Sequence, residues 1–386
     1  MSHCTANKKA ASAFVRRNSI PTTGAVAKAL FNSAIGIDVH HDILVCAYQY
    51  CNRESDEITT EVCSFGTTAS ELAKFTDWCR NHHPEQILME STGVLWFSPY
   101  EALESVGFTN RQLSLINARD FKAIVGRKSD KQDAERLALY ARIGNVRSSF
   151  VPAKCFREMR AVSRLLSKTT DEQSRARSRY LKTLNFIGCR ASSVFSDVRG
   201  KAATAILEVL AEGTREQLID AIKIHGRRLR KSAAEILDAL DFAVSPAMAM
   251  QLRIQKQHME ALSQTCEELY ALLKVMQANY QPWINRLMTV PGIKERAARV
   301  IFAEVTNDLS SFPDAAHLAS WVGVCPGTME SAGKRYSGRA AKGNRYLRRI
   351  LVECSQAIGL MRKGALYSLF QAFKERKGTR RAVVAM

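Results

Sequence analysis

Between Ala34 and Tyr50 the chain reads AIGIDVHHDILVCAYQY, two apolar, β-branched runs of strand length on either side of a short polar connection. This predicts a strand, a tight turn and a second strand, and EITTEVCSFGT supplies a third. After the third strand the period changes. SELAKFTDWCRNH has helical spacing at Leu72, Phe75, Trp78 and Cys79, QILMES reads as a short buried strand, and LWFSPYEALESVG as a helix closed by Gly107. LSLINA is a further strand, and KSDKQDAERLALYAR, residues 128–142, is a helix with an apolar face.

The order β-β-β-α-β-α-β-α, a three-strand meander followed by βα units, is that of an α/β RNase H-like (RuvC-like) sheet. It gives the acids positions. Asp38 lies within the first strand, Glu90 ends the fourth, and Asp130 and Asp133 stand one turn apart at the head of the last helix. Each has an ordinary explanation: a turn residue, a helix-capping acid, an N-terminal pair favoured by the helix dipole. In an RNase H-like sheet, however, all four places converge on one point. Four carboxylates there repel unless divalent cations neutralise them, and oxygen donors suit Mg²⁺ or Mn²⁺. Two such ions clamp the attacking and leaving oxygens of a phosphoryl transfer.

The formal net charge of +19 gives these acids an unusual setting, since such an excess attracts polyanions. The charge is uneven: fourteen lysines and arginines follow from Lys334 to the end, against Glu353 and Glu375 alone. The first 34 residues carry Lys8, Lys9, Arg16, Arg17 and Lys28 with no acid, and are expected to form a basic, flexible arm. No apolar run reaches the ~20 residues of a spanning helix, and the start of the chain lacks the apolar core of a signal peptide. A cytoplasmic, nucleoid-associated protein with no membrane partner is expected. The ten cysteines show no C-x-x-C pair and no zinc spacing, and are expected to be reduced and mostly buried.

Residues 151–280 are expected to form a helical linker and coiled coil. FREMRAVSRLLSKTTDEQSRARSRYLKTLNFIG is a long basic amphipathic helix, and from Leu252 a seven-residue repeat runs through Met259, Cys266 and Leu273, with Leu262, Leu269 and Met276 interleaved and Gln255 as the one break. Such a seam needs a second helix to cover it, from its own domain or from a second protomer; at least a dimer, and a tetramer on two DNAs, is expected. Residues 281–386 form the last region. There LMTVPGIKERAARVIFAEV has the form of a helix-hairpin-helix whose turn, at Gly292, would aim backbone N–H groups at a phosphate, or would pack as a plain αα-hairpin. Beyond it, Lys334, Arg335, Arg339, Lys342, Arg345, Arg348 and Arg349 surround a small-residue loop and an amphipathic helix. With Lys128, Lys131 and Gly292 they are the expected nucleic-acid contacts.

GIDVHHDILVCAY, MESTGVLWF, KSDKQDAERLALYAR and the stretch from VPGIKERAARVIFAEV to LASWVGVCPGTMESAGKRYSGRAAKGNRYLRRIL together resemble the DEDD-type insertion-sequence transposases, the group that includes Piv-like DNA invertases. The resemblance spans roughly residues 35 to 360. It implies a RuvC-like domain at 35–150 whose four acids are Asp38, Glu90, Asp130 and Asp133, a coiled coil that joins protomers, and a C-terminal transposase domain. It also implies a serine nucleophile that attacks DNA, mapping to Ser331, with Ser337 as the fallback, and a structured non-coding bridge RNA that pairs with donor and target double-stranded DNA. Two departures stand out: His41 where many members carry lysine, and Ala332 where the serine is usually followed by glycine. Two other readings fit the residues: a RuvC-like endonuclease in which water attacks, and a nucleic-acid-binding protein without catalysis.

Overall fold

A computed structural model of the chain describes residues 14–18, 29–52, 55, 57–91, 93–117, 129–144, 148–198, 200–226, 229, 231–240, 242, 244–325, 329–331, 334–337 and 342–386. The chain divides into two compact units, residues 1–154 and 155–386.

The first unit is built on a six-stranded sheet. Its strands are β1 (Phe14–Asn18), β2 (Ser33–Val39), β3 (Ile43–Cys51), β4 (Ile58–Gly66), β5 (Gln86–Glu90) and β6 (Leu113–Ile116), in the order β1-β4-β3-β2-β5-β6. β2, β3 and β4 form the antiparallel meander, whereas β5 and β6 run parallel to β2. This is the RNase H-like arrangement. One difference is at the edge: Phe14–Asn18, inside the arm expected to be flexible, pairs antiparallel with β4. Alternating residues explain that pairing less than the open edge does, since β4 otherwise presents unpaired backbone groups.

Strand alternation divides the sheet's faces. Ile35, Ile37 and Val39 of β2, Ile87 and Met89 of β5, and Leu113 and Leu115 of β6 point to the side covered by α1 (Ala69–His82) and α2 (Phe97–Ser105), through Phe75, Cys79, Tyr100 and Leu103. The even-numbered residues face α3 (Asp130–Ile143), where Ala34, Leu88 and Ile116 meet Leu137 and Ala141. Ser129 caps α3 by accepting from the Gln132 backbone N–H at 3.4 Å, and Gly144 ends it in the left-handed conformation. Gly36 sets how close this helix comes. A Cβ there would stand 2.2 Å from the Ala134 carbonyl oxygen and from the Ala138 backbone nitrogen.

The second unit is helical apart from a small hairpin. Two long helices, α4 (Lys154–Phe186) and α5 (Pro246–Met276), form its spine. Met159 shares a core with Leu273, Thr170 lies 3.9 Å from the Cys266 sulfur, and Gln255 donates to Thr183 at 3.1 Å, so the pair is antiparallel. The heptad stripe Leu252, Met259, Cys266 and Leu273 is therefore buried within its own chain. Its covering helix was expected from a second protomer; α4 supplies it instead, because α4 is long enough to span the repeat and carries Ala176, Tyr180 and Leu184 on its inner face. The stripe no longer argues for a dimer.

At one end of the spine, α6 (Lys201–Glu212), α7 (Arg215–His225) and α8 (Ala233–Leu240) close around Leu184, Ile206 and Ile236. At the other end, α9 (Gln281–Met288) and α10 (Glu295–Val305) pack Ile284, Ala298 and Phe302 on Phe156 and Met159. The helical linker and the C-terminal region thus share one core. α11 (Ala315–Val322), the hairpin β7 (Met329–Ser331) and β8 (Lys334–Ser337), and α12 (Arg345–Gly359) follow.

Candidate metal centre

Asp38 and Glu90 reach one place through strand register. Ile37 of β2 pairs with Met89 of β5, so the next residue on each strand, Asp38 and Glu90, lies side by side at the carboxyl ends of two parallel neighbours. By parity with Ala34 and Leu88 both belong to the α3 face, and both are buried, at 7% and 8% exposure. The third and fourth acids arrive with α3. Because Gly36 lets the helix settle against β2, its first turn stands over the end of that strand, and both Asp130 and Asp133 act electrostatically on Asp38. Burial holds the Asp38 carboxyl above the ordinary aspartate range; His40 opposes the shift, and the negative charges of Asp133 and Asp130 add to it. The site disfavours its own negative charge, which is the condition that a bound cation relieves.

The side chains nearest Asp38 include one the sequence reading passed over. The His40 Nε2 lies 3.0 Å from Asp38 Oδ2 and 3.8 Å from Asp130 Oδ1. Asp38, His40 and Asp130 offer ligand atoms within 4.8 Å of one another, the one such group among the described residues. Asp133 is turned to Arg136 at 3.3 Å. The signal for His40 was in the sequence: it follows Asp38 by two, the strand period. The noted departure, His41, bonds the exposed Asp42 at the hairpin tip instead.

The nucleic-acid contacts read from sequence separate into groups. Lys128 and Arg339 lie outside the described residues. Lys131, Lys342 and Arg345 are exposed, and Arg348 is half-buried. Arg345 donates to the Tyr346 hydroxyl at 2.9 Å. Arg349, one of the expected contacts, is partly exposed and already ion-paired, with Asp171 of α4 at 2.6 Å and with Glu353 at 3.0 Å. Gly292, at φ +91°, turns the α9–α10 hairpin against α12, where a Cβ would meet Ile358 at 2.7 Å. That close approach gives Gly292 a packing role. Gly292, Lys294, Arg296, Tyr346 and Arg349 line one cavity of about 680 Å³. Ser331 ends β7 opposite Lys334, and Ser337 ends β8 opposite Met329. Lys334 and Arg335 lie on β8.

The helix that follows this hairpin is anchored by a second residue the sequence reading missed. Asn344 caps α12, accepting from the Tyr346 and Leu347 backbone N–H groups at 3.1 Å, and donates to Glu304 at 2.7 Å. Glu304 is fully buried at the end of α10 and accepts from Nε and Nη2 of Arg164, each at 2.8 Å, with Arg160 at 3.6 Å.

Residues 35–188 match a family of transposases of the DEDD, IS110 type, and residues 284–370 match the "Transposase IS116/IS110/IS902 family". The chain belongs to the IS110 family of transposases. The first match takes in most of the first unit and continues into α4 of the second, the second match lies within the second unit, and together they take in more than half of the sequence. A curated relative from Streptomyces coelicolor, the "Insertion element IS110 uncharacterized 43.6 kDa protein", is 30% identical over 172 residues, 39% of this chain and 40% of the relative. The chain thus spans about two fifths of the length of the curated relative it matches. Among the described residues, no helix is long and apolar enough to cross a membrane.

Proposed function

We propose that this transposase cuts and rejoins DNA strands of an insertion element, using a divalent metal held by Asp38, Glu90, Asp130 and Asp133 and the Ser331 hydroxyl as nucleophile. The observation that carries this reading is Asp38: a carboxylate buried at a strand end, with two further acids brought over it and the imidazole of His40 opposing their effect. A divalent ion bound there would supply Lewis-acid activation of the phosphodiester and shield the charge that develops on it.

The protein's own residues divide the rest of the work. The carboxylates would hold the ion and, through it, set where the scissile phosphate can bind. Ser331 attacks phosphorus through its oxygen, the 3′ or 5′ oxygen of the broken strand leaves with a proton, and a phosphoserine ester results. The reverse attack by a strand end restores the serine, so rejoining needs no ATP. Lys131, Lys334, Arg335, Arg339, Lys342, Arg345 and Arg348 supply cationic contacts to donor and target DNA and to a structured guide RNA, in keeping with the net charge of +19.

A denaturing gel of the protein with labelled element-end DNA tests the serine. The wild type is expected to give a covalent adduct, Ser331→Ala none, and Ser337→Ala an adduct. An adduct that survives Ser331→Ala and disappears in Ser337→Ala moves the nucleophile to Ser337. Cleavage by the wild type with no adduct returns the attack to water.

A further inference from the structure

We infer that His40 is itself a metal ligand, so that the centre is a mixed nitrogen–oxygen site selective for a first-row transition ion, Mn²⁺ over Mg²⁺. This rests on the carboxylate-centre reading above and goes beyond its four acids by adding a donor that changes which ion the site prefers.

Geometry carries the inference. His40 lies just beyond the end of β2, and its backbone N–H closes the turn onto the Ile43 carbonyl at 3.0 Å. That turn keeps the strand's alternation for one more residue, so His40 shares the α3 face with Asp38. The same ring nitrogen, Nε2, faces both carboxylates, at 3.0 Å from Asp38 and 3.8 Å from Asp130. Donors in cis positions on an octahedral ion with bonds of about 2.1 Å stand about 3.0 Å apart, and trans donors about 4.2 Å. The first of these distances matches a cis pair, the second lies between cis and trans, and all three atoms stand within 4.8 Å of one another. The imidazole is also half-open to solvent, leaving a path for exchange of the ion and for water or phosphate oxygens at its remaining positions.

The chemistry of the donor then sets the preference. Mg²⁺ takes oxygen almost exclusively, whereas first-row transition ions accept imidazole nitrogen without losing affinity for carboxylate. A histidine between two aspartates therefore penalises Mg²⁺ relative to Mn²⁺. Asp133, paired with Arg136, and Glu90, beside Asp38 on the neighbouring strand, stand next to this group.

The test uses the full-length protein without an affinity tag, titrated with Mn²⁺ and followed by electron paramagnetic resonance with echo modulation. The wild type is expected to bind Mn²⁺ with modulation from a directly coordinated ¹⁴N, and to bind Mg²⁺ more weakly in competition. His40→Ala, and His40→Gln, which keeps a hydrogen-bonding group without an imidazole, should lose the nitrogen signal. They should bind Mn²⁺ about tenfold or more weakly and lose most of the discrimination against Mg²⁺. His41→Ala should keep all three properties. Mn²⁺ bound to the wild type without nitrogen modulation, or modulation that persists in His40→Ala, overturns the inference. Asp38→Asn separates this from the wider reading: lost Mn²⁺ binding in Asp38→Asn with no nitrogen signal in the wild type removes only His40, whereas Mn²⁺ binding unchanged by Asp38→Asn, or absent from the wild type, removes the carboxylate centre as well.

Discussion

Asp38 and Glu304 are both buried carboxylates, one in each unit, and their surroundings are opposite. Glu304 is met by two arginines and an asparagine, and in meeting them it ties α4, α10 and the start of α12 together. Asp38 is met by one histidine and two further acids. A buried carboxylate placed for structure is surrounded by cations and donors, because a lone buried charge costs several kcal/mol. One placed beside other acids is destabilising by itself and makes sense only when something from outside balances it. The contrast in counter-charge, more than burial, separates scaffold from site here.

The largest expected effect breaks the comparison from the catalytic side. Asp38→Asn should lower strand exchange by about a thousandfold or more, since several kcal/mol of transition-state stabilisation go with the metal. Its melting temperature in metal-free buffer should be equal to or above that of the wild type, because a repelled charge is removed. Asp130→Ala, Asp133→Ala and Glu90→Ala should behave alike in recombination while still binding DNA. Near wild-type recombination in any two of the four would dismantle the assignment.

From the scaffold side, Glu304→Gln should destabilise the protein by about 3–5 kcal/mol, because it strands a buried ion-pair partner. Burial already lowers the Arg160 guanidinium to about 10, with Glu304 acting to raise it. Urea unfolding would read the loss, and a midpoint within experimental error of the wild type would refute the scaffold role. Gly36→Ala tests the link between fold and site, since its Cβ must push α3 off β2. We expect a cost of about 1–3 kcal/mol, the usual penalty of overpacking, with weakened metal binding. Metal binding at full strength in a destabilised Gly36→Ala would show that Asp130 and Asp133 do not depend on that approach.

Protons sharpen the comparison more gently. An acid whose folded pKa lies above its unfolded one costs stability at neutral pH, and the cost fades as pH falls through the folded value towards the ordinary one. Wild type should therefore gain on Asp38→Asn in metal-free melting as pH drops through the window just above the ordinary aspartate range, while metal affinity falls over the same window. A stability difference that stays constant across it would contradict the direction given for Asp38. The smallest effects belong to the surface: Arg349→Ala should cost no more than about 1 kcal/mol as a partly exposed pair. Arg345→Ala should lower the salt dependence of DNA binding by about one phosphate contact.

Much of this was legible before the fold was known. Period-two runs and the change to helical spacing placed the meander and the βα units, with Asp38 within the first strand and the other three acids at element ends, because each depends on neighbours a few residues apart. The long helices were legible for the same reason. Less visible was what a residue meets across the chain. The heptad stripe from Leu252 to Leu273 announced a partner helix but could not say whose, since a stripe specifies an apolar face and not the chain that covers it. Arg349 reads like the arginines around it, yet Asp171, far off in sequence, pairs with it.

By itself, then, the sequence determined the RNase H-like order of elements, the acids' positions within it and the basic character of the chain, all properties carried by local pattern and composition. Only the tertiary structure decided that Gly36 brings the head of α3 onto β2, that His40 and not His41 stands between Asp38 and Asp130, and that Glu304 is met by two arginines where Asp38 is met by one histidine and two acids. Those outcomes turn on distances of a few ångströms between residues far apart in the chain. Such distances are fixed by packing and register, which no single stretch of sequence contains.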